Sequence, residues 1–312
     1  MAFHPDDLPD LSGRVYIVTG ASSGIGYHTA VYLAQKGARV YVCARSEAKG
    51  ETTVASIRAL HPAANIEALI MDHGKLATVI AAAKTFASKE TALHGLVNNA
   101  GIMATPFALT EDGYEAQFQT NYIAHWLFTY HLLPILRETA KNAPAGSVRI
   151  VNLTSAGEQF APSIGINFQD TSLPQDSAMA RYGQSKLVNI LHAKTLHERY
   201  GPAAAGDEGI WTAAVHPGFV WTNLAEGHLE LPWWMRVLAF AARMAGAFWP
   251  PDKGAWTSVY CVASPEMKRE HSGHYFERIA QLGSESAKAK DMALAEKLDE
   301  WTRKEMEAKG FL

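Results

Sequence analysis

The chain has 312 residues, 48% of them hydrophobic and 19% charged, and 28 Lys and Arg against 31 Asp and Glu give a net charge of −3. A chain of this length can bury a large core unaided, and α/β folds reach about 250 residues as one domain. The near-neutral charge argues against nucleic acid or an anionic membrane as a partner. Cys43 and Cys261 form no C-x-x-C, so neither a disulfide framework nor a thiolate zinc site is expected.

The N-terminus has no basic region and no apolar run, so neither a signal peptide nor an anchor is predicted. The most apolar stretch, residues 233–249, is short for a membrane span and carries Arg236 and Arg243 on one helical face. This pattern favours an amphipathic helix packed on its own protein over a membrane-docked helix. We therefore expect a cytoplasmic protein without a membrane span.

Short β-rich runs alternate with longer helical patterns along the chain. Strands are predicted at residues 14–19, 39–43, 65–71, 95–99, 147–153, 211–215 and 274–276. They are mostly apolar throughout, as expected for strands covered on both faces. Helices are predicted at residues 24–35, 47–60, 75–89, 114–139 and 180–200. This alternation predicts an α/β fold with a doubly wound parallel sheet of about seven strands and helices on both faces.

No linker and no internal repeat divides the chain, so a single domain over residues 1–312 is predicted. A C-terminal helix is expected over residues 284–308, with Leu294, Leu298 and Trp301 on one packed face. Glu305 comes next on that face, so the packed stripe is expected to end there. The pattern leaves open whether the helix packs on its own subunit or on a neighbour.

A glycine-rich loop leads from the first predicted strand directly into a helix, with the sequence Thr19-Gly20-Ala21-Ser22-Ser23-Gly24-Ile25-Gly26. Gly20 allows a tight turn, and Gly24 and Gly26 let a pyrophosphate approach the backbone and the helix pack closely. The helix N-terminus offers N–H groups to the phosphates. Ser22 and Ser23 can cap the helix or bond a phosphate. The position of this loop predicts a dinucleotide-binding Rossmann fold.

The end of the second strand selects the dinucleotide in such folds, because an acidic side chain there bonds the ribose and repels a 2′-phosphate. Here Ala44 occupies that position and Arg45 follows. A guanidinium suits a phosphate monoester, and Ser46 can add a donor. The alternative is that Arg45 merely begins a solvated helix. The charge favours NADP(H) over NAD(H).

Three further residues can carry chemistry. Tyr182 and Lys186 are separated by one helical turn, so the ammonium can lie near the phenol. A free tyrosine has a pKa near about 10, and a nearby cation brings its proton transfer into working range. Ser155 follows the fifth strand at the carboxyl edge, where its hydroxyl can bond a carbonyl oxygen as charge develops. The Tyr-x-x-x-Lys spacing alone also occurs by chance in many helices.

Together these segments resemble the short-chain dehydrogenase/reductase family over residues 14–223. Besides the features above, the matching residues are Asn98-Asn99-Ala100-Gly101, Asn121 and Pro217-Gly218. The chain is similar in particular to the retinol-dehydrogenase-like branch. The residues that carry this closer resemblance are Cys43-Ala44-Arg45, Phe118-Gln119-Thr120-Asn121-Tyr122 and Tyr182-Gly183-Gln184-Ser185-Lys186-Leu187.

The resemblance implies four catalytic residues. Tyr182 is implied to be the general acid/base that protonates the carbonyl oxygen during hydride delivery. Lys186 lowers the pKa of Tyr182 and binds the nicotinamide ribose hydroxyls. Ser155 orients and polarises the substrate carbonyl, and Asn121 supports a water relay towards Lys186.

The resemblance also implies how the cofactor is held. Residues 98–101 close the wall beside the adenosine ribose, Asp72 meets the adenine, and Pro217, Gly218 and Thr222 flank the nicotinamide carboxamide. The complete set of expected cofactor-binding residues is Gly20, Ser22, Ser23, Gly24, Ile25, Gly26, Arg45, Ser46, Asp72, Asn98, Ala100, Gly101, Tyr182, Lys186, Pro217, Gly218, Val220 and Thr222.

Some positions depart from the family's pattern. Asp72 is followed by His73-Gly74 in place of the usual apolar residue, and Thr154 replaces the more common first serine. Ser155 and Tyr182 lie about twice as far apart in the sequence as in compact members of the family, and the retinol-dehydrogenase-like branch has a comparable insertion.

The 13 histidines form no H-E-x-x-H and no Cys/His cluster, so no metal site is predicted. His125 is expected to pack, and His216 either packs at a strand end or faces the cofactor.

The tryptophans bear on the substrate. Five of the eight fall in residues 221–256, where this family places its substrate-covering segment: Trp221, Trp233, Trp234, Trp249 and Trp256. Large aromatic side chains build a wide apolar pocket, although core packing explains them equally well. We therefore expect a bulky apolar ketone or aldehyde, or the corresponding alcohol, as substrate.

Two other functions fit the same scaffold. One is NADPH-dependent reduction of a conjugated C=C bond, which nothing in the residues separates from carbonyl reduction. The other is a catalytically silent NADP(H)-binding regulatory protein. The intact catalytic set argues against it: Asn121, Ser155, Tyr182 and Lys186.

Family members often form homodimers or homotetramers through the two long helices, here residues 114–139 and 180–200, but members with long C-terminal extensions are less uniform.

Overall fold

A computed structural model describes residues 3–220, 230 and 248–312. One sheet in this part of the chain has the strand order β3-β2-β1-β4-β5-β6-β7-β8. Its strands are β1 (Val15–Val18), β2 (Arg39–Ala44), β3 (Ile66–Ile70), β4 (Gly95–Asn98), β5 (Arg149–Leu153), β6 (Trp211–Val215), β7 (His274–Glu277) and β8 (Gln281–Leu282). All neighbouring strands are parallel except β7 and β8. The predicted doubly wound parallel sheet is therefore confirmed.

The strand count differs from the expected seven by one. Strand β8 has two residues, both exposed, and pairs antiparallel with the end of β7. A two-residue exposed strand leaves no apolar run in the sequence, which is why the pattern did not predict it.

The described helices are α1 (Gly24–Gln35), α2 (Glu47–Leu60), α3 (Leu76–Lys89), α4 (Ala124–Asn142), α5 (Ala178–Tyr200), α6 (Pro251–Ala263) and α7 (Met292–Ala308). Helices α1 and α2 begin and end at the predicted residues. The predicted helix at 114–139 is instead a short α-helical turn at Ala116–Phe118, a π-helical stretch at Gln119–Ile123, and then α4. A π-helical stretch leaves the apolar pattern almost unchanged, so the sequence showed one continuous helix.

The sheet separates two hydrophobic clusters. One lies under α3, α4, α5 and α7, and the other lies under α1, α2 and α6. Alternate residues of each strand face opposite clusters, so Ile17 enters the first cluster while Tyr16 and Val18 enter the second. Burial on both faces explains why the strands are apolar throughout.

The C-terminal helix α7 packs on its own subunit. The Trp126 indole on α4 donates a hydrogen bond of 2.9 Å to Asp299, and the hydroxyls of Tyr122 and Thr302 are 2.7 Å apart. The expected end of the packed stripe at Glu305 is wrong, because Met306 is fully buried. The Glu305 carboxylate also accepts a hydrogen bond of 3.0 Å from Tyr114. The packed face continues because the helical period turns Met306 onto it.

Helix α7 should contribute strongly to stability. Leu298 is 1% exposed, so we expect Leu298→Ala to lower the free energy of unfolding by about 2–5 kcal/mol through lost burial and a residual cavity. Urea unfolding measures this loss, and Glu296→Ala, at an exposed position of the same helix, is the control. Equal effects of the two substitutions would contradict the packing of this face.

Several predictions concern residues outside the described ranges. These are Thr222, Trp221, Trp233 and Trp234, with nearly all of the apolar stretch 233–249. Within the described ranges, no helix has the length and apolar character to cross a membrane.

Candidate active site

A cleft of about 550 Å³ opens at the carboxyl edge of the sheet. The strand order reverses between β1 and β4, and crevices at such reversal points are where doubly wound folds bind ligands. Twelve of the expected cofactor residues line it: Gly20, Ser22, Ser23, Gly24, Ile25, Arg45, Asp72, Ala100, Gly101, Tyr182, Lys186 and Pro217. The structure does not place the other described candidates on the lining: Gly26, Ser46, Asn98, Gly218 and Val220.

The glycine loop has the backbone shape that glycine allows. Gly20 and Gly24 have φ of +61° and +59°. A Cβ on Gly26 would come within 2.4 Å of the Asn99 amide nitrogen, so Gly26 serves close packing beneath the cleft. Ser23 precedes α1 in an extended conformation, and its side chain makes no capping hydrogen bond. The first N–H groups of α1 are therefore not capped by Ser23, which leaves this serine for a ligand in the cleft.

The wall after β4 is held by Thr19. Its hydroxyl accepts hydrogen bonds from the backbone N–H groups of Asn99 (2.8 Å) and Ala100 (2.9 Å). Asn98 instead points below the cleft and donates to Asn152 at 2.8 Å and to Thr129 at 3.1 Å. Asn99, which was expected in the wall of residues 98–101 but not among the cofactor-binding residues, lines the cleft. Period-two alternation predicts that these neighbouring asparagines point to opposite sides, but it does not say which of them faces the cleft.

Arg45, which directly follows β2, is exposed and lines the cleft. Ser46 caps α2 instead: its hydroxyl oxygen accepts the Lys49 N–H at 3.5 Å. Asp72 lines the cleft and accepts the N–H of Gly74 at 3.0 Å. Ser46 was expected to add a donor to the phosphate, whereas the structure shows it as a helix cap and not on the cleft lining.

Three of the catalytic candidates meet beside the end of β5, three strands away from the end of β2 where Arg45 lies. Tyr182 is 5% exposed, and the Ser155 hydroxyl hydrogen-bonds its phenol. The Lys186 ammonium lies 5.7 Å from the Tyr182 ring centre and donates to the Leu153 carbonyl at 3.2 Å. Ser155 begins a short 3-10 helix directly after β5, and Tyr182 and Lys186 lie one turn apart on α5, as predicted.

Burial dominates the electrostatics here. It raises the pKa of Tyr182 to about 12, while the hydrogen bond from Ser155 acts in the lowering direction. Burial lowers the pKa of Lys186 to about 8. Both shifts favour the uncharged forms, as expected for groups removed from water. The phenol therefore holds its proton at neutral pH, whereas the ammonium can release one.

Asn121 lies in the π-helical stretch, behind the cleft. Its side chain accepts the N–H of Ile102 at 2.8 Å and donates to the Ile102 carbonyl at 2.9 Å and to Ser185 at 2.8 Å. Its main-chain carbonyl is 3.0 Å from Nδ1 of His125. The side chain is thus occupied in holding the segment after β4.

The segment after β6 lies beside a tryptophan. Gly218 has φ of +87°, and a Cβ there would come within 3.2 Å of the Trp249 ring. Val220 forms a bridge with Trp249. Trp256 packs with the cluster under α1 and α6 and donates to Tyr32 at 3.3 Å, so it serves core packing.

The remaining histidines and cysteines have structural surroundings. His216 is buried beside Phe219, and burial lowers its pKa to about 4. Cys43 is buried, and burial raises the pKa of its thiol. Within the described ranges, no three His, Cys, Asp or Glu side chains are grouped to hold a metal ion.

Known proteins resemble this chain in sequence and in fold. The family profile described as short chain dehydrogenase matches residues 14–168. The short-chain dehydrogenase/reductase drtF of Aspergillus calidoustus is 50% identical over 312 residues, covering 99% of this chain and 98% of that protein. Retinol dehydrogenase 11 of Mus musculus is 35% identical, covering 92% of this chain and 84% of that protein.

A solved structure shares the fold. The Pseudomonas aeruginosa RhlG/NADP active-site complex superposes with a TM-score of 0.64 at 25% identity, covering 88% of this chain and 97% of that one. The glycine loop, the order of the strands and the relatives agree with one another. The chain belongs to the short-chain dehydrogenase/reductase family of oxidoreductases, on its retinol-dehydrogenase-like branch.

Proposed function

We propose that the protein is an NADP(H)-dependent oxidoreductase that interconverts a bulky apolar ketone or aldehyde and its alcohol. One observation carries the proposal: Tyr182 and Lys186 line one end of a cleft whose other end presents Arg45, and the Ser155 hydroxyl acts on the Tyr182 phenol. Pure binding needs no buried phenol paired with a hydroxyl, so this arrangement favours catalysis over a regulatory role.

The residues of the cleft fit a nicotinamide dinucleotide. The N-terminus of α1 and Ser23 suit the pyrophosphate, Asp72 lies on the adenine side, and Arg45 suits a 2′-phosphate. Lys186 and Pro217 line the end where the reaction would occur. The bound dinucleotide would supply or accept the hydride.

Three side chains of the protein would handle the substrate oxygen. Ser155 orients the carbonyl by hydrogen bonding, which stabilises the negative charge that develops on its oxygen. Tyr182 donates its phenolic proton to that oxygen, while the carbonyl carbon gains the hydride. Lys186, one helical turn away, holds positive charge near the phenolate that remains.

The protonation states favour reduction. Because the pKa of Tyr182 is raised to about 12, the phenol is an acid at neutral pH rather than a base. The pKa of Lys186 is lowered to about 8, so the ammonium can return a proton to Tyr182. Alcohol oxidation would first require a deprotonated phenol and should therefore need a higher pH.

An exposed apolar rim supports a bulky apolar substrate. Its members are 41–69% exposed and lie on the loops that follow the adjacent strands β4, β5 and β6: Phe107, Leu109, Phe160, Ile164 and Phe219. Neighbouring exposed apolar side chains mark sites of interaction in soluble proteins. Met103 and Leu153 continue the apolar surface into the cleft.

A substrate panel tests this function directly. We expect NADPH oxidation with ring-bearing lipophilic ketones or aldehydes, at a kcat/KM at least about tenfold above that for small polar ketones, because burial of each added methylene contributes about 0.8 kcal/mol. Nicotinamide absorbance follows turnover, and product analysis on an enone separates C=O from C=C reduction. Equal turnover of small polar and lipophilic ketones would contradict the substrate class.

The rate should fall in alkaline solution. Burial lowers the pKa of Lys186 to about 8, so its positive charge is lost as the pH rises through that value. We expect kcat/KM for NADPH to decline up to about tenfold per pH unit above pH 8, because this ratio reports the free enzyme. Lys186→Arg, whose charge persists, should remove the decline. A flat wild-type profile to pH 10 would exclude a role for the Lys186 charge.

A further inference from the structure

Two buried histidines lie behind the cleft. His73 and His125 are 6% and 2% exposed, and their Nε2 atoms are 3.2 Å apart. The rings meet edge to face, with centres 4.7 Å apart. His73 follows β3 at the position where the family has an apolar residue, and it lines the cleft. His125 is in the first turn of α4, just after the π-helical stretch.

The partners of His125 define where its hydrogen lies. Its Nδ1 faces the Asn121 carbonyl at 3.0 Å, and a carbonyl can only accept. Nδ1 therefore carries the hydrogen, and in the neutral ring Nε2 accepts. The Thr19 hydroxyl already accepts two backbone N–H groups, so its one hydrogen has two acceptors in reach, Nε2 at 2.9 Å and the Val97 carbonyl at 3.4 Å. Nε2 of His73 approaches the same nitrogen.

Burial keeps this pair neutral. It lowers the pKa of His73 to about 4, with Asp72 acting in the raising direction and Arg45 in the lowering direction. Burial also holds the pKa of His125 well below its usual value. Lys186 acts on it in the same direction, and His73 and His192 would do so if they were protonated. The hydrogen bond to Asn121 acts in the raising direction.

The pair joins three parts of the site. His125 bonds the main chain of Asn121, whose side chain holds Ile102 at the cleft. Through Thr19 it reaches the N–H groups of the wall after β4. Through His73 it reaches the adenine side of the cleft. A histidine that only filled core space would not need partners on all three.

We propose that His125 is a positioning residue for Asn121 and that His73 connects it to the nucleotide-binding end of the cleft. The proposal rests on the proposed function, since positioning is useful only if Asn121 serves catalysis. The connection is a series of polar contacts of 2.9–3.2 Å that meet at the His125 ring, so displacement at one end shifts the other.

Nitrogen-15 NMR of the histidine rings tests the connection on the full chain, without turnover. We expect His125 as the neutral Nδ1–H form at neutral pH, and we expect NADP⁺ to shift the signals of both rings. In His73→Leu the shift of His125 on adding NADP⁺ should be lost. An Nε2–H form of His125, or unchanged signals at saturating NADP⁺, would overturn the proposal.

Kinetics test the positioning. His125→Leu should lower kcat about 10- to 100-fold with KM changed less than about threefold, because small displacements of reacting groups are costly. His125→Gln, whose amide can donate to the Asn121 carbonyl, should recover part of kcat. His131→Leu is the matched control, because His131 lies on the same helix but bonds the Phe311 carbonyl at 3.1 Å, outside the cleft. Equal kcat in His125→Leu and His131→Leu would overturn the proposal.

Failure of the proposed function can be distinguished from failure of the positioning proposal. If none of the carbonyl compounds and enones in the panel supports NADPH oxidation by the wild-type protein, the proposed function fails. The ring NMR still decides whether His73 and His125 are connected to the cleft, because it requires only the protein and NADP⁺. If turnover is normal and both NMR expectations fail, only the positioning proposal falls.

Discussion

Replacing Tyr182 by phenylalanine should lower kcat for carbonyl reduction by about 10²- to 10⁴-fold, the usual contribution of a general acid. The substitution removes only the phenolic oxygen, so the ring still fills its buried position. Ser155 remains at the end of β5, where its hydroxyl oxygen still accepts the Gly157 N–H at 3.1 Å. Affinity for NADPH, measured by fluorescence titration, should change less than about threefold.

The control for this substitution is another buried tyrosine. Tyr260→Phe on α6 removes a hydroxyl that donates to the Glu266 carbonyl at 3.0 Å, outside the cleft. It should lower stability modestly, by about 1 kcal/mol, and leave kcat within about twofold of wild type. A Tyr182→Phe variant that keeps a tenth or more of the wild-type kcat would remove Tyr182 from the role of general acid.

Most of the fold could be predicted from the sequence because the signals that define it are local. Strands buried on both faces are apolar throughout, and a glycine loop after β1 leaves few alternatives to a Rossmann fold. The start of α1 at Gly24 follows from that loop, and Tyr182 and Lys186 share a helical face by spacing alone. These features depend on neighbours within a few residues.

The rest depends on distant contacts, which periodicity does not contain. Whether Asn98 or Asn99 enters the cleft is decided by strand register against β5, where Asn98 meets Asn152. The role of His73 depends on His125, 52 positions away in the chain. Each of these follows only once the elements are assembled.

Arg45→Ala should weaken NADPH binding about 10- to 100-fold and change NADH binding less than about threefold. A charge-assisted hydrogen bond contributes about 1.5–3 kcal/mol, and each 1.4 kcal/mol is a factor of ten. Arg45 is exposed, which places the expected loss toward the lower end of this range. Titration of both dinucleotides, with Lys49→Ala at an exposed position of α2 as the control, measures the effect.

A substitution of Ser46 helps to distinguish a 2′-phosphate site from the ordinary start of a helix. Its hydroxyl oxygen already caps α2 by accepting the Lys49 N–H, so Ser46→Ala should lower stability by about 1 kcal/mol without changing the ratio of NADPH to NADH affinity. If Arg45 also only begins a solvated helix, Arg45→Ala will weaken both dinucleotides equally or neither. A loss confined to NADPH requires the guanidinium to meet the one group that distinguishes the two molecules, the 2′-phosphate.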